Sequence, residues 1–257
     1  LDFKRKIINK FIQSPILKFF EKKILNDKKG NILALSNYTL MELNSISNRN
    51  INKVLRMSID TENFISCPKN VRPWSIGFSG RLSDPRKNIN LLIEVVKCLS
   101  EQNKNIELNL IGISDNQKLL NKIKNLGIEQ KIKFYPYMNK SNLNKFLQKL
   151  DIYVIPSFQE GLCIAGMEAM ACGCPVITTK CGGPEDFVFS DYNGYVTSFD
   201  PKEISQKIIK ISSNRNLRNT LSNNGVNWIR SNATYEVNKE FFLQEIRFTF
   251  PCISRNC

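Results

Sequence analysis

Residues Pro156–Asp186 read PSFQEGLCIAGMEAMACGCPVITTKCGGPED. Within them, Gly161–Thr179 is a long neutral run whose single charge is Glu168. A carboxylate among Leu162, Ile164, Met167, Met170 and Val176 is costly to bury unless something hydrogen-bonds it. Glu160 stands just before the run, with seven residues between the two acids. The apolar Ile152-Tyr-Val-Ile155 ahead of it reads as a strand, Gly161 as a turn, Leu162–Ala171 as a helix and Pro175–Thr179 as a second strand. This unit puts one acid at a helix mouth and one inside the helix. Such a mouth suits a phosphorylated or hydroxylated ligand.

Outward from that unit the pattern stays regular. Strands are predicted at Trp74–Ser79, Ile106–Ile111, Lys131–Tyr135 and Gly194–Thr197. Helices are predicted at Ile89–Leu99, Gln117–Leu126, Ser141–Leu150, Pro201–Ile211, Leu217–Ile229 and Tyr235–Phe248. Strands alternating with helices of this length imply right-handed crossovers and a parallel sheet covered on both faces. Upstream, residues 1–29 read as basic helix interrupted at Pro15, Ser36-Asn37 as a cap for Tyr38–Leu43, Ile51–Met57 as a strand and Cys67–Pro73 as a linker.

The net charge is +14, from 37 basic and 23 acidic residues. Scattered lysines read either as a solvated surface or as attraction to phosphate-bearing ligands or an anionic membrane. Basic residues are not interleaved with aromatics, which argues against a nucleic-acid groove. No apolar run reaches membrane-span length uninterrupted. The start, LDFKRKIINKF, lacks a signal-peptide core, and it begins with Leu, as a fragment or processed chain would. The eight cysteines are irregularly spaced. They read as reduced, buried thiols of a cytoplasmic protein rather than metal ligands. The sequence has no histidine, so no histidine here serves as base, ligand or triad member.

The first strand ends in Gly77-Phe-Ser-Gly80-Arg81, and Lys87 follows on the same loop. Glycine lets backbone N–H groups approach a ligand, while Arg81 as a planar fork and Lys87 as a point charge suit one diphosphate. In so basic a chain the pair also reads as solvated surface. A dinucleotide site is disfavoured: Gly77-x-x-Gly80 lacks the Gly-x-Gly-x-x-Gly spacing, and the second strand runs into Gly112-Ile-Ser114 without an acid. Glu168 reads either as the acceptor for two adjacent ribose hydroxyls or as a structural carboxylate. Glu160 reads either as a sugar contact or catalytic group, or as an exposed acid favoured by the helix dipole. Gly182-Gly-Pro-Glu-Asp186 is a further turn opening a short helix on the same side of the sheet.

Together these segments resemble the retaining glycosyltransferases of the group 1 family (family four). The matching residues are Phe78-Ser-Gly-Arg-Leu82 with Lys87-Asn88, Ile152–Ser157, Glu160-Gly-Leu through Glu168-Ala-Met-Ala171, Gly173, Pro175-Val-Ile177, Gly182–Asp186 and Asn193-Gly194. The likeness runs from about Trp74 to Trp228, with a weaker trace in Ile32–Leu43 and Val54–Phe64. It implies an α/β chain of GT-B type, with a doubly wound, Rossmann-like C-terminal domain and a partial N-terminal remnant. The expected divisions are 1–72 for the remnant and linker, 73–232 for the nucleotide-sugar-binding domain and 233–257 for a C-terminal helix and tail.

The resemblance further implies that Arg81 and Lys87 hold the diphosphate and stabilise its developing charge. Glu160 touches the donor sugar, helped by backbone amides around Gly161 and Leu162. Glu168 holds the ribose, Gly80 lies against the donor, and Tyr137 and Met138 border the base. No metal and no other cofactor is needed, and anomeric configuration is retained. The donor is a UDP- or GDP-linked sugar, and the acceptor a glycan or lipid-linked saccharide in cell-surface polysaccharide or glycolipid synthesis. The expected place is the cytoplasm, and the basic start, Lys4–Lys29, reads either as peripheral contact with the inner membrane face or, in an intact enzyme, as a surface that packs on the missing domain. The chain departs from the family in lacking most of the first domain, and its end, Phe250–Cys257, is unlike a family terminus. The alternative is a non-catalytic or truncated nucleotide-sugar-binding module that needs a partner acceptor domain. A third reading is another enzyme of the same architecture, such as a sugar-nucleotide epimerase or a phosphorylase.

Overall fold

Six short apolar segments hydrogen-bond into one parallel sheet: β1 (Trp74–Ser79), β2 (Ile106–Ile111), β3 (Ile132–Tyr135), β4 (Ile152–Ile155), β5 (Val176–Thr179) and β6 (Gly194–Thr197). Their spatial order is β3-β2-β1-β4-β5-β6. The order reverses between β1 and β4, the arrangement of a doubly wound fold, in which ligands sit outside the carboxyl ends at the reversal. The structure is a computed structural model that describes residues 22–27, 32–55, 57–67, 74–112 and 117–249. It divides into two compact units, Arg56–Lys239, which holds the sheet, and Leu1–Leu55 with Glu240–Cys257.

The helices are α1 (Asn37–Ile46), α2 (Ile89–Glu101), α3 (Gln117–Asn125), α4 (Lys140–Leu147), α5 (Ile164–Ala171), α6 (Pro201–Ser212), α7 (Arg215–Asn232) and α8 (Tyr235–Thr249). Side chains alternate across a strand, and β4 shows what that does here. Ile152 and Val154 join one apolar cluster with Leu92, Val96 and Ile208 from α2 and α6. Tyr153 and Ile155 join the other, with Leu147, Met167, Met170 and Ile229 from α4, α5 and α7. All four β4 residues are buried, as a sheet covered on both faces requires.

The seam at the reversal is short. β1 pairs with β2 along its full length from Trp74 to Ser79, but with β4 only at Ile76↔Ile152 and Gly77↔Tyr153. Past that point the Ser79 N–H has no β4 carbonyl to meet. It donates instead to the Tyr153 hydroxyl at 2.9 Å, which also lies 2.8 Å from Ser79 Oγ. Gly77 makes room beside this seam, because an added Cβ would stand 2.1 Å from Leu150 Cδ1.

The amino end of the seam is tied by charge. Asp151 accepts from Ser75 N at 3.0 Å and pairs with Arg218 of α7 at 3.2 Å, both side chains buried. The Arg218 guanidinium lies 5.3 Å from the Trp74 ring centre. In the smaller unit, Ser36 caps α1 by accepting from Thr39 N at 3.0 Å.

Two expectations are corrected. Ile51–Met57 does not form a strand: among the described residues it makes one isolated bridge, Ala34↔Val54, because a strand needs a neighbouring backbone along its length and Ala34 offers one residue. The helix expected from Leu162 starts at Ile164, because Cys163 takes a left-handed conformation (φ 71°, ψ 67°) at its N-cap. The basic helix of residues 1–29 lies outside the described residues except at 22–27, of which 22–25 are helical. The tail Phe250–Cys257 and most of the linker Cys67–Pro73 also lie outside them.

Removing one partner of a buried ion pair strands the other. Arg218→Ala should therefore lower unfolding stability by about 3 kcal/mol, read as a reduced midpoint in urea denaturation. A midpoint equal to wild type would show that the Asp151–Arg218 pair does not hold α7 to the sheet.

Candidate active site

The carboxyl ends of β1, β2 and β3 and the first turns of α5 enclose a cleft of about 510 Å³. Of the residues singled out from sequence, Gly80, Arg81, Tyr137, Met138 and Glu168 line it. Glu160, Gly161, Leu162 and Lys87 do not; they belong to the adjoining loops after β4 and β1. The sequence reading missed Gly112, Lys140, Leu143 and Ala165, which also line the cleft. A glycine directly after a strand was the available signal for Gly112. An added Cβ there would stand 2.0 Å from the Gly80 carbonyl oxygen. The backbones after β1 and β2 thus touch, and both glycines have positive φ (155° and 141°).

Glu168 is in the second turn of α5, half-buried. Its carboxylate has no hydrogen bond or ion pair among the described residues. Burial pushes its pKa above the usual carboxylate value, and the Lys140 ammonium opposes that shift. A half-buried anion without a partner is an unmet demand for hydrogen-bond donors.

Arg81 follows Gly80 with its side chain 79% exposed, 3.6 Å from Asp84. Asp84 is engaged more closely by Arg86 at 2.8 Å, and that side chain holds its carboxyl down at about 2. Lys87 closes the same loop. Its ammonium lies 2.7 Å and 2.9 Å from the two oxygens of Glu160. The fully buried Ser157 hydroxyl donates to Glu160 Oε1 at 2.6 Å. An ammonium has three donors, so this pairing leaves one for a ligand.

The Glu160 loop is fixed by backbone. Glu160 N donates to Cys181 O at 2.8 Å, Gly183 N donates to Glu160 O at 2.9 Å, and Phe158 N donates to Arg86 O at 2.7 Å. An added Cβ on Gly183 would stand 2.3 Å from the Gly161 carbonyl oxygen. The turn Gly182–Asp186 therefore packs directly under the loop that carries Glu160. Its own start is held by Glu185, which accepts from Gly182 N at 3.0 Å. Cys163 and Cys181 stand beside this loop as protonated thiols, burial pushing them up to about 12 and about 11.

A doubly wound sheet with its cleft at the strand reversal, lined by a half-buried acid and an exposed arginine, defines a Rossmann-like α/β domain with a ligand crevice. The chain belongs to the family of glycosyl transferases group 1, whose pattern matches residues 60–228. It is 31% identical over 145 residues to the uncharacterized glycosyltransferase MJ1178 of Methanocaldococcus jannaschii, covering 55% of this chain and 39% of that one. It is 29% identical over 151 residues to the capsular polysaccharide biosynthesis glycosyltransferase CapM of Staphylococcus aureus, covering 58% and 40%. The chain thus spans about two-fifths of the length of these relatives. Its fold is similar to that of Anabaena HepE in complex with UDP-glucose, with a TM-score of 0.80, 18% identity, and coverage of 93% of this chain and 68% of that one. Among the described residues no helix is long and apolar enough to cross a membrane.

Because the folded pKa of Glu168 is raised, folding favours its protonated form, and the ionised carboxyl subtracts from stability at neutral pH. Glu168→Gln should therefore stabilise the chain at pH 7 by on the order of 0.5 kcal/mol. That gain should fade as pH falls through the raised pKa, because the wild-type carboxyl then becomes neutral too. Thermal melts of both proteins from pH 4 to 8 check this. A constant difference across the range would mean that the Glu168 carboxyl titrates alike in the folded and unfolded chain.

Proposed function

We propose that this chain carries the donor site of a retaining, metal-independent hexosyltransferase. The enzyme transfers a sugar from a UDP- or GDP-linked donor to a glycan or lipid-linked acceptor. The observation that carries this reading is Glu168, without a hydrogen-bond or ion-pair partner among the described residues, in one cleft with Arg81 at the strand reversal. An anionic acceptor suits the paired hydroxyls of a ribose, and a cation beside it suits the phosphates joined to that ribose.

In this reading the base lies against Tyr137 and Met138, and Glu168 accepts from the ribose. Arg81 grips the diphosphate as a fork while the close-packed Gly80 backbone lets it approach. Lys87, oriented by both Glu160 oxygens, turns its third N–H to the diphosphate. Glu160 and the amides around Gly161 and Leu162 face the donor sugar. As the bond from the anomeric carbon to the diphosphate breaks, negative charge grows on the leaving phosphate oxygen. Arg81 and Lys87 are already in place to meet it, an effect worth about 3 kcal/mol per donor in comparable sites. These two cations do the work a divalent metal does elsewhere. The acceptor hydroxyl oxygen bonds to the anomeric carbon on the face the diphosphate leaves, and its proton passes to the departing phosphate oxygen, so configuration is retained.

Relatives support the setting. CapM is named for capsular polysaccharide biosynthesis, and the structure of HepE holds UDP-glucose. The enzyme works in the cytoplasm, with the basic start, Lys4–Lys29, resting on the anionic inner face of the membrane.

Calorimetric titration with UDP, GDP and ADP tests the donor site. One of the first two should bind with an affinity indifferent to EDTA. Arg81→Ala and Lys87→Ala should each weaken that binding by about tenfold or more. Unchanged affinity in both variants would sink the reading.

A further inference from the structure

The cleft holds a cation that the donor reading leaves without a task. Lys140 opens α4 directly after Asn139, whose side chain caps the helix by accepting from Asn142 N at 2.9 Å. It lines the cleft with Tyr137, Met138 and Leu143, and so belongs to the wall built from the end of β3. Its other neighbour is Asp60, 3.7 Å away. That acid is already satisfied by the side chain and backbone of Asn63, at 2.8 Å and 3.2 Å. Lys140 is therefore held loosely, and it shares the cleft with a half-buried carboxylate that has no hydrogen bond or ion pair among the described residues.

Among the described residues, the groups that share the cleft with Glu168 can be named element by element. The loop after β1 brings Arg81, whose acidic neighbour is Asp84. The segment from β3 into α4 brings Tyr137 and Lys140. Beneath, β4 brings Tyr153, whose phenol burial keeps protonated and whose hydroxyl is bonded to Ser79. Lys140 is the cation whose charge opposes the cost of burying Glu168.

We propose that Lys140 is a positioning residue for donor selection, keeping Glu168 an anion in the cleft and thereby giving the cleft its preference for ribose over 2′-deoxyribose nucleotides. The inference rests on the reading of the cleft as a nucleoside diphosphate site. An ionised carboxylate presents acceptors to both hydroxyls of a ribose; a protonated one commits an oxygen as a donor and matches the diol poorly. Lys140 acts through Glu168 and need not touch the nucleotide. A ratio of affinities for ribo- and deoxyribonucleotides is therefore the readout that a merely structural role would leave unmoved.

The test has two arms on the whole chain. In the first, carbon-13 NMR follows the Glu168 carboxyl against pH without ligand, its resonance assigned by its loss in Glu168→Gln. The midpoint should rise in Lys140→Gln and stay near wild type in Lys140→Arg. An unmoved midpoint in Lys140→Gln overturns the proposal. In the second, affinities for UDP against dUDP, and GDP against dGDP, are measured from pH 5 to 8. Wild type should favour the ribonucleotide by about tenfold at neutral pH, and lose that preference as acid protonates Glu168. In Lys140→Gln the loss should begin at higher pH. Lys140→Arg should behave as wild type, and Glu168→Gln should show little preference at any pH. A preference whose pH dependence is the same with and without Lys140 overturns the proposal. Failure of every nucleotide to bind wild type, with the NMR midpoint moving as expected, instead overturns the nucleotide reading and the ribose role with it.

Discussion

The fold hinges on how β1 and β4 part. A doubly wound sheet gains its ligand crevice by letting two adjacent strands diverge at their carboxyl ends, and divergence leaves backbone donors without a ladder. The Ser79 N–H is such a donor, and the Tyr153 hydroxyl answers it. A phenol ring is long and rigid, so it reaches a backbone that a carbonyl on β4 no longer meets. The same ring is buried against the α5 side of the sheet. One side chain therefore completes the ladder, fills the core and fixes where the loop bearing Gly80 and Arg81 departs.

Charge is partitioned around that crevice in a way that stability alone does not explain. The buried acid Glu160 is fully engaged, by Lys87 and by Ser157. Asp84 is engaged by Arg86. Glu168 has no hydrogen bond or ion pair among the described residues, and Arg81 keeps one long contact, to Asp84, and is largely exposed. Leaving Glu168 without a partner among the described residues costs folding free energy, and such local costs are characteristic of ligand sites.

Much of the architecture was legible in the sequence, for a physical reason. Buried parallel strands are short apolar runs with polar or glycine edges, so β1, β2 and β6 begin and end where the pattern does. Helix starts were less legible. Leu162 continues the apolar periodicity of α5, and nothing in its chemistry announces that Cys163 turns left-handed and delays the helix by two residues. The strand read at Ile51–Met57 failed because periodicity reports which face is apolar and not whether a neighbour exists. At the site, each residue of the Lys87–Glu160 pair was noticed singly. Their pairing was not, since it joins positions 73 apart. Lys140 was invisible among 37 basic residues; only the cleft distinguishes it.

The contact between Gly183 and the Gly161 carbonyl sets how such a protein can drift. The rear of the site is backbone against backbone, with no side chain between the loops to exchange. A change of shape there has to be made in both loops at once, so single substitutions have little to work with. The wall from β3 into α4 is the opposite case: Tyr137 is 83% exposed and Lys140 is held by one long contact. Mutational freedom is therefore concentrated on one bank of the crevice, where the molecule can acquire a new ligand preference without disturbing the other.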